Sequence, residues 1–392
     1  MTLRIAIAGA GLGGLTAAAA LHHKGLDAHV HERATTLREQ GVGMHLGPNA
    51  TRLLHRLGLG PQLQQCAVRP EALEIRAFHN GATLTRQDMG QTWQDRYGAP
   101  YCTVRRGDLH RILASRVPAD RIHTGKELVR HEETPHGVLL HFADRTTAHA
   151  DVLIGADGIH SALRAAAAPA DTPRYSGDSA LRGTVDTTAL PGLDPALMYM
   201  YAGPAARLLL YPIDAGRRFT YVVVTPTPEG APESWTSTGD RTDLETALTG
   251  FDPAVRALTA AAHDVRRWAL YDRAPLERWS TPRTTLLGDA AHPMLPYHGQ
   301  GANQAIEDAV TLAVCLKEAA PGPAGTAAAL NRYEQARRPH TTRVQLGSRT
   351  PHHTRNTPTA TTRPTDAGSI DWILGHDAEA ALTPEPGTLH AA

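Results

Sequence analysis

Residues 3–32 constrain the fold more than any other stretch of the chain. Leu3–Ala8 is a short apolar run, Gly9-Ala10-Gly11-Leu12-Gly13-Gly14 follows it, and Leu15–Lys24 is an Ala-rich helical pattern ended by Gly25. Asp27–Glu32 is a second strand pattern. The order strand, G-x-G-x-x-G, helix, strand predicts a βαβ unit. Gly9 permits the tight turn, Gly11 lets backbone approach a pyrophosphate, and Gly14 lets helix and strand pack closely. The helix N-terminus then presents free N–H groups and a positive dipole end. Glu32 stands 23 positions after Gly9 at the end of the second strand, where a carboxylate accepts hydrogen bonds from a ribose diol, and Arg33 follows it. These residues predict a site for the ADP half of a dinucleotide.

The glycine pattern alone does not separate FAD from NAD. Asp151–Arg164 reads D-V-L-I-G-A-D-G-I-H-S-A-L-R, a buried strand that delivers Asp157-Gly158 to a helix start. Thr284–Asp289 reads T-T-L-L-G-D and delivers Asp289 in the same way. Ligands of open α/β sheets bind at the carboxyl ends of strands, so two such aspartates converge on the hydroxyls of a long, bent cofactor. No second glycine fingerprint is present, which argues against a reductase with two resident dinucleotides. A plain NAD dehydrogenase would leave Asp157 and Asp289 unexplained.

Composition narrows the partners. Lys+Arg and Asp+Glu both total 39 among 392 residues, and this balance gives no argument for a nucleic-acid surface. Three cysteines without metal-ligand spacing fit a reducing cytoplasm better than a disulfide framework. The Ala-rich run from Ile5 to Leu21 has the glycines of the turn in its middle and is not read as a leader, and no stretch reaches the ~20 apolar residues of a membrane span.

Along the chain, Asn49–Leu63 reads as one amphipathic helix, 70–100 as short strands and polar turns (Glu74–Asn80, Ala82–Arg86), and Asp108–Arg116 as a helix. Strands dominate 175–275, with Arg207–Ile213 and Phe219–Val224 clearest and one helix near Thr242–Leu248. Asn303–Glu318 is a long helix, and Pro351–Ser369, rich in Thr, Pro and His, is expected to be irregular. The layout predicts an α/β protein: a Rossmann-like dinucleotide-binding domain from 1–70, 101–175 and 276–348, a sheet-rich substrate domain from 71–100 and 176–275, and a tail from 349.

Taken together and in this order, the three motifs resemble those of the group A flavoprotein aromatic hydroxylases, the family with the p-hydroxybenzoate hydroxylase-like fold. The resemblance runs from residue 1 to about 345. Closer similarity to the 6-hydroxynicotinate 3-monooxygenase and salicylate 1-hydroxylase branches rests on Gly41–Asn49, Tyr97–His110, Tyr175-Ser176-Gly177 and Asp371–Asp377. It implies FAD as cofactor, NADH or NADPH as transient co-substrate, O2, and hydroxylation of an aromatic ring by a flavin hydroperoxide. The ring is expected to be a hydroxylated aromatic or heteroaromatic carboxylate, with decarboxylation where attack falls on the carboxylate-bearing carbon.

The resemblance also implies roles. Asp157-Gly158, Asp289 and Arg106 of Arg106-Gly107-Asp108-Leu109 would contact FAD, and the loop His292–Asp308 would lie against the flavin ring. Pro296 would sit near the oxygen-reacting carbon, with backbone of Gly301, Ala302 and Asn303 facing the pyrimidine edge. His45 matches an active-site histidine of the nicotinate branch, and Tyr211 a pocket tyrosine. That branch has histidine directly after the loop proline, where this chain has Tyr297 and then His298, so the substrate is expected to differ. An oxidase or reductase without oxygen insertion, or a flavin protein without turnover, stays open, as does monomer against homodimer.

Overall fold

The computed structural model describes residues 3–37, 42–168, 171–204, 206–227, 239–349 and 367–382. Five parallel strands form the first sheet, in the order Thr284–Leu286, Val152–Gly155, Ile5–Ala8, Ala28–Glu32, Ile122–Thr124. Its central strands are apolar throughout because both faces are covered. Helix Leu12–His23 packs between this sheet and helices Arg106–Ala114 and Gly301–Lys317, and so is buried nearly all round. It starts at Leu12, three residues earlier than expected, because Gly11 is the extended N-cap and Gly13 and Gly14 lie inside the first turn.

The second sheet has seven strands, ordered Arg266–Asp272, Arg174–Asp186, Arg218–Pro226, Arg207–Ile213, Leu197–Ala202, Ala72–Ala77, Thr83–Asp88. All pairings are antiparallel except Leu197–Ala202 with Ala72–Ala77. Strand alternation divides its two faces. Leu181, Tyr199, Leu208, Leu210, Tyr221 and Val223 enter a core with helices Arg241–Ala247 and Pro253–Ala261. Ala180, Met198, Tyr211 and Val222 face the other way, into a second cluster with Trp93, Leu295 and Leu374.

A two-stranded ribbon, Gly43–Leu46 with Cys102–Arg105, joins the two sheets. Gly43 N–H donates to Thr220 Oγ1 at 2.9 Å, and the Tyr211 hydroxyl donates to Gly43 O at 2.7 Å. The ribbon places His45 beside the large sheet, and the Gly47 N–H that follows it donates to Asn303 of helix Gly301–Lys317.

Four local expectations are corrected. Asn49–Leu63 is two helices, Pro48–Arg56 and Gly60–Cys66. Gly58 (φ +76°) ends the first: its N–H reaches His55 O and the Leu59 N–H reaches Leu54 O, a Schellman closure. The 70–100 segment holds a helix, Gly90–Tyr97, whose Met89, Trp93 and Tyr97 repeat every fourth residue on its buried side. Among the described residues the strand-rich region contains two helices rather than one, and a 25-residue helix, Pro323–Gly347, follows helix Gly301–Lys317. Most of Pro351–Ser369 lies outside the described residues, but Ala367–Leu374 is a helix that begins within that stretch.

Candidate active site

Four segments meet at the carboxyl edge of the parallel sheet. Gly9 has φ +104°, and a Cβ there would stand 2.5 Å from Ala156 O. A Cβ on Gly14 would stand 2.0 Å from Gly9 O, so turn and helix touch backbone to backbone. Gly11 differs: a Cβ there would meet nothing within 4 Å, and the same holds at Gly158 (φ +80°). Glu32 accepts from Ala10 N–H at 2.7 Å and from Ala34 N–H at 2.8 Å, which fixes its carboxylate beside the glycine turn. Arg33 is exposed next to it.

Asp157 Oδ2 accepts from Ala162 N–H at 2.8 Å, whereas its buried Oδ1 has no hydrogen-bond partner. Burial raises this carboxyl above its ordinary range, with Ser161 and nearby N–H groups opposing. Arg106 and Asp289, both solvent-exposed yet crowded by protein, are near enough to feel one another's charge. That crowding raises the Asp289 carboxyl, against the charges of His292 and Arg106. Helix Gly301–Lys317 has no side-chain cap, so the N–H groups of Gly301, Ala302 and Asn303 start the helix without a capping acceptor. Open space at Gly11 and Gly158, an unmet carboxylate oxygen, and an uncapped helix start fit a long cofactor that bears phosphates and hydroxyls.

Beyond this cleft, apolar and aromatic side chains of the large sheet gather around His45. His45 Nδ1 is 2.6 Å from the Tyr101 hydroxyl, and its ring lies 4.1 Å from the Tyr211 ring. Gly299, just after the Pro296–His298 turn, packs against His45, and Asn303 Nδ2 donates to His45 O. Burial, with the positive charge of Arg182 second, lowers His45 to about 3, so the ring is neutral. Burial also raises the Tyr101 phenol, which stays protonated. Tyr297 donates to Asp178, which a β-bulge between Tyr175 and Ser179, with Gly177 at φ +89°, turns toward the loop. Pro296 begins the short turn that carries Tyr297. His298 lies against Gly347 at the end of helix Pro323–Gly347.

Several residues of the site carry no local sequence signal. Arg182 shares the strand face of Ala180 and therefore points toward His45 and Tyr211. It stacks on Trp268 at 4.5 Å, its Nε is buried without a partner, and it forms no ion pair with a described carboxylate. Arg164, 1% exposed, binds Asp171 and the carbonyls of Ala290, Ala291 and Ala274, which ties the Asp157 segment to the Asp289 segment. Behind the flavin loop, Arg337 bridges Glu307 (2.7 Å) and Asp308 (2.8 Å), and Asp308 also accepts from Gly288 N–H and pairs with His292. Burial would raise Asp308, but His292 and Arg337 outweigh it and hold it at about 2.

The neutral histidines carry a pH consequence. His31 is lowered to about 4 and His340, like His45, to about 3, each chiefly by burial. In the unfolded chain these rings take protons near pH ~6.5. The unfolded state therefore binds more protons below that pH, and this contribution to stability is lost as pH falls from about 6.5 toward 4. Tm measured between pH 7.5 and 5 is expected to fall with acidification; a flat profile would show that the rings charge freely in the folded protein.

The comparisons agree with this geometry. The FAD binding domain family matches residues 2–347. The chain is 43% identical over 349 residues to 3-amino-4-hydroxybenzoate 2-monooxygenase of Streptomyces cremeus, covering 88% of this chain and 86% of the relative. It is 36% identical over 377 residues to 6-hydroxynicotinate 3-monooxygenase of Bordetella bronchiseptica, covering 95% of both. Among solved structures, Klebsiella pneumoniae HpxO complexed with FAD and uric acid superposes with TM-score 0.82 at 29% identity, over 97% of this chain and 95% of that one. A salicylate hydroxylase substrate complex superposes with TM-score 0.80 at 28% identity, over 97% of both. Glycine turn, paired aspartates and flavin loop thus sit on a fold and a sequence shared with ring hydroxylases. The chain belongs to the FAD binding domain family and is an FAD-dependent, NAD(P)H-driven aromatic-ring monooxygenase.

Proposed function

We propose that the substrate is a hydroxylated benzoate or pyridine carboxylate, held by Arg182 and deprotonated at its ring hydroxyl by His45 with Tyr101 as partner. The observation that carries this reading is a neutral His45–Tyr101 dyad and a guanidinium without a described carboxylate partner in one aromatic cluster beside the loop that begins at Pro296. Relatives named for 3-amino-4-hydroxybenzoate and 6-hydroxynicotinate, both hydroxylated ring carboxylates, support it.

FAD would be held by Gly9, Gly11, Gly14, Glu32, Arg33 and Arg106, by Asp157-Gly158 and Asp289, and by the N–H groups of Gly301–Asn303. When bound and reduced by NAD(P)H, it supplies the activated oxygen. The protein's own contribution begins with charge. A desolvated Arg182 without a counter-ion attracts a carboxylate. Neutralising Arg182 removes the second cause of the low His45 basicity, so substrate binding itself makes His45 a better base. With Nδ1–H donated to the Tyr101 oxygen, Nε2 keeps a lone pair for the ring-hydroxyl proton, and Tyr101 then stabilises the imidazolium. Deprotonation raises electron density at the neighbouring ring carbon, where oxygen adds. Tyr211 holds the ribbon that bears His45 and presents its ring face to it. Pro296 and Tyr297 close the cavity beside the flavin, with Tyr297 anchored on Asp178. The segments 1–70, 101–175 and 276–348 form the cofactor unit in this reading, and 71–100 with 176–275 the substrate unit. A cytoplasmic location follows from the reading of the cysteines.

Two variants test the roles. Tyr101→Phe is expected to lower kcat about 100-fold with FAD still bound, the low end of the usual scale for acid–base catalysis because Tyr101 acts through His45. Arg182→Gln is expected to raise KM for carboxylated substrates by at least about 10-fold, with little change for ring phenols that lack a carboxylate. Equal loss for both substrate types would remove Arg182 from carboxylate binding.

A further inference from the structure

Outside the substrate cavity, three side chains from three separate elements converge: Glu307 of the flavin-loop helix, His340 of helix Pro323–Gly347, and His376 just after helix Ala367–Leu374. We infer that they form a binding site for a single zinc ion, which fastens the C-terminal segment 367–382 to the helix that carries the flavin loop.

The geometry provides three ligands. A carboxylate oxygen of Glu307 and one ring nitrogen from each histidine all lie within 4.8 Å of one another. His376 Nδ1 is 2.6 Å from Glu307 Oε2, and the two imidazoles lie 3.9 Å apart with their planes 20° from parallel. His340 Nε2 is buried and has no hydrogen-bond partner, an unmet nitrogen beside a carboxylate. Glu307 is wholly buried, whereas His376 retains 19% exposure, which leaves a solvent side for a water as fourth ligand. Two histidines, one carboxylate and a water are an ordinary zinc donor set.

Charge is the obvious objection, because Arg337 sits 2.7 Å from Glu307 Oε2. That guanidinium, however, serves two buried carboxylates, Glu307 and Asp308. Asp308 shares the guanidinium and also pairs with His292, so Arg337 does not belong to Glu307 alone. The remaining oxygen of Glu307 is oriented by Asn49 (2.5 Å) and Gln304 (3.1 Å), the outer-shell support that a ligating carboxylate needs.

The site lies where a fastening has structural effect. Leu374, two residues before His376, packs in the cluster with Tyr211 and Leu295 that walls the substrate cavity. Arg52 donates to the carbonyl of His376, and Arg56 pairs with Asp377, so the segment already docks on helix Pro48–Arg56. An ion at Glu307 would add a third, stronger attachment to that docking.

The test is calorimetric titration of untagged, chelator-treated, FAD-loaded enzyme with zinc chloride. About one equivalent is expected to bind with Kd below about 10 µM, and Tm is expected to rise. His340→Gln and His376→Gln should each weaken that equivalent at least about 100-fold while FAD stays bound. Absence of a stoichiometric event in the wild type overturns the inference. So does an unchanged event in the double variant, since the ion would then occupy other histidines. If a variant loses FAD, cobalt(II) titrated into the wild-type holoenzyme decides. Saturable visible ligand-field bands of a low-coordinate site at one equivalent support the inference, and their absence overturns it.

Discussion

Arg337→Ala is expected to lower the unfolding free energy by about 3–5 kcal/mol, the scale for breaking a buried ion pair from one side. The side chain is 1% exposed and contacts Glu307, Asp308 and Gln304, all without solvent access. Its loss leaves two interior carboxylates facing one another with only histidines to compensate. The damage should reach the cofactor, because Asp308 also accepts from Gly288 N–H at 3.0 Å, and Gly288 positions Asp289. Urea unfolding of the FAD-loaded variant, together with its retained flavin after gel filtration, measures both effects. Arg337→Lys keeps a charge but not the fork that spans both carboxylates, and should recover only part of the loss. A loss below about 1 kcal/mol in the alanine variant would mean that water or protonation satisfies those carboxylates.

The second large effect separates two glycines that look alike in sequence. Gly14→Ala is expected to cost about 3 kcal/mol or more in stability, with or without FAD, since its Cβ would overlap the Gly9 carbonyl at 2.0 Å. Gly11→Val should leave the apoprotein about as stable as wild type, because Gly11 has ordinary extended backbone (φ −70°, ψ −177°) and open space around it. Its FAD affinity should nonetheless fall by about 100-fold or more, as the added methyls occupy the approach to the pyrophosphate. Tm of the apoproteins and flavin titration give the two readings. If Gly11→Val retained FAD, the pyrophosphate would not pass over this turn.

How much of this was legible in the sequence depends on how local each feature is. The three strand ends at Gly9, Asp157 and Asp289 were readable, because strand, turn and helix start are contiguous and each carries its own pattern. Their convergence follows from parallel pairing in one sheet. The order of the large sheet was not readable, since Ala72–Ala77 pairs with Leu197–Ala202 more than a hundred residues away. Arg182 stayed hidden for a different reason. An arginine in a strand looks like a solvated edge until the alternation of Ala180, Leu181 and Arg182 is set against two occupied faces. The break at Gly58 and the helix around Trp93 were both available from spacing: a glycine followed by Leu59, and apolar residues at every fourth position. The Glu307–Asp308–Arg337 cluster joins two helices, and no pattern within either announces it.

His45 and Tyr211 stand side by side, their rings 4.1 Å apart, but the hydroxyl of Tyr211 is engaged by Gly43 and the polar partner of His45 is Tyr101. Strand register explains this. His45 pairs opposite Thr103 in the ribbon, which brings Tyr101, just before that partner strand, alongside the imidazole. Asn303 contributes differently from its neighbours too, since its side chain binds Gly47, His45 and Gly299 and leaves only its backbone for the cofactor.

The most direct measurement of the central claim is turnover under 18O2 with reduced nicotinamide and a panel of hydroxylated benzoates and pyridine carboxylates. The account expects at least one acid to accelerate NAD(P)H oxidation and to emerge carrying a single 18O atom, one per nicotinamide consumed at full coupling. Stimulated oxidation that yields only hydrogen peroxide, with no labelled product from any acid in the panel, would contradict it.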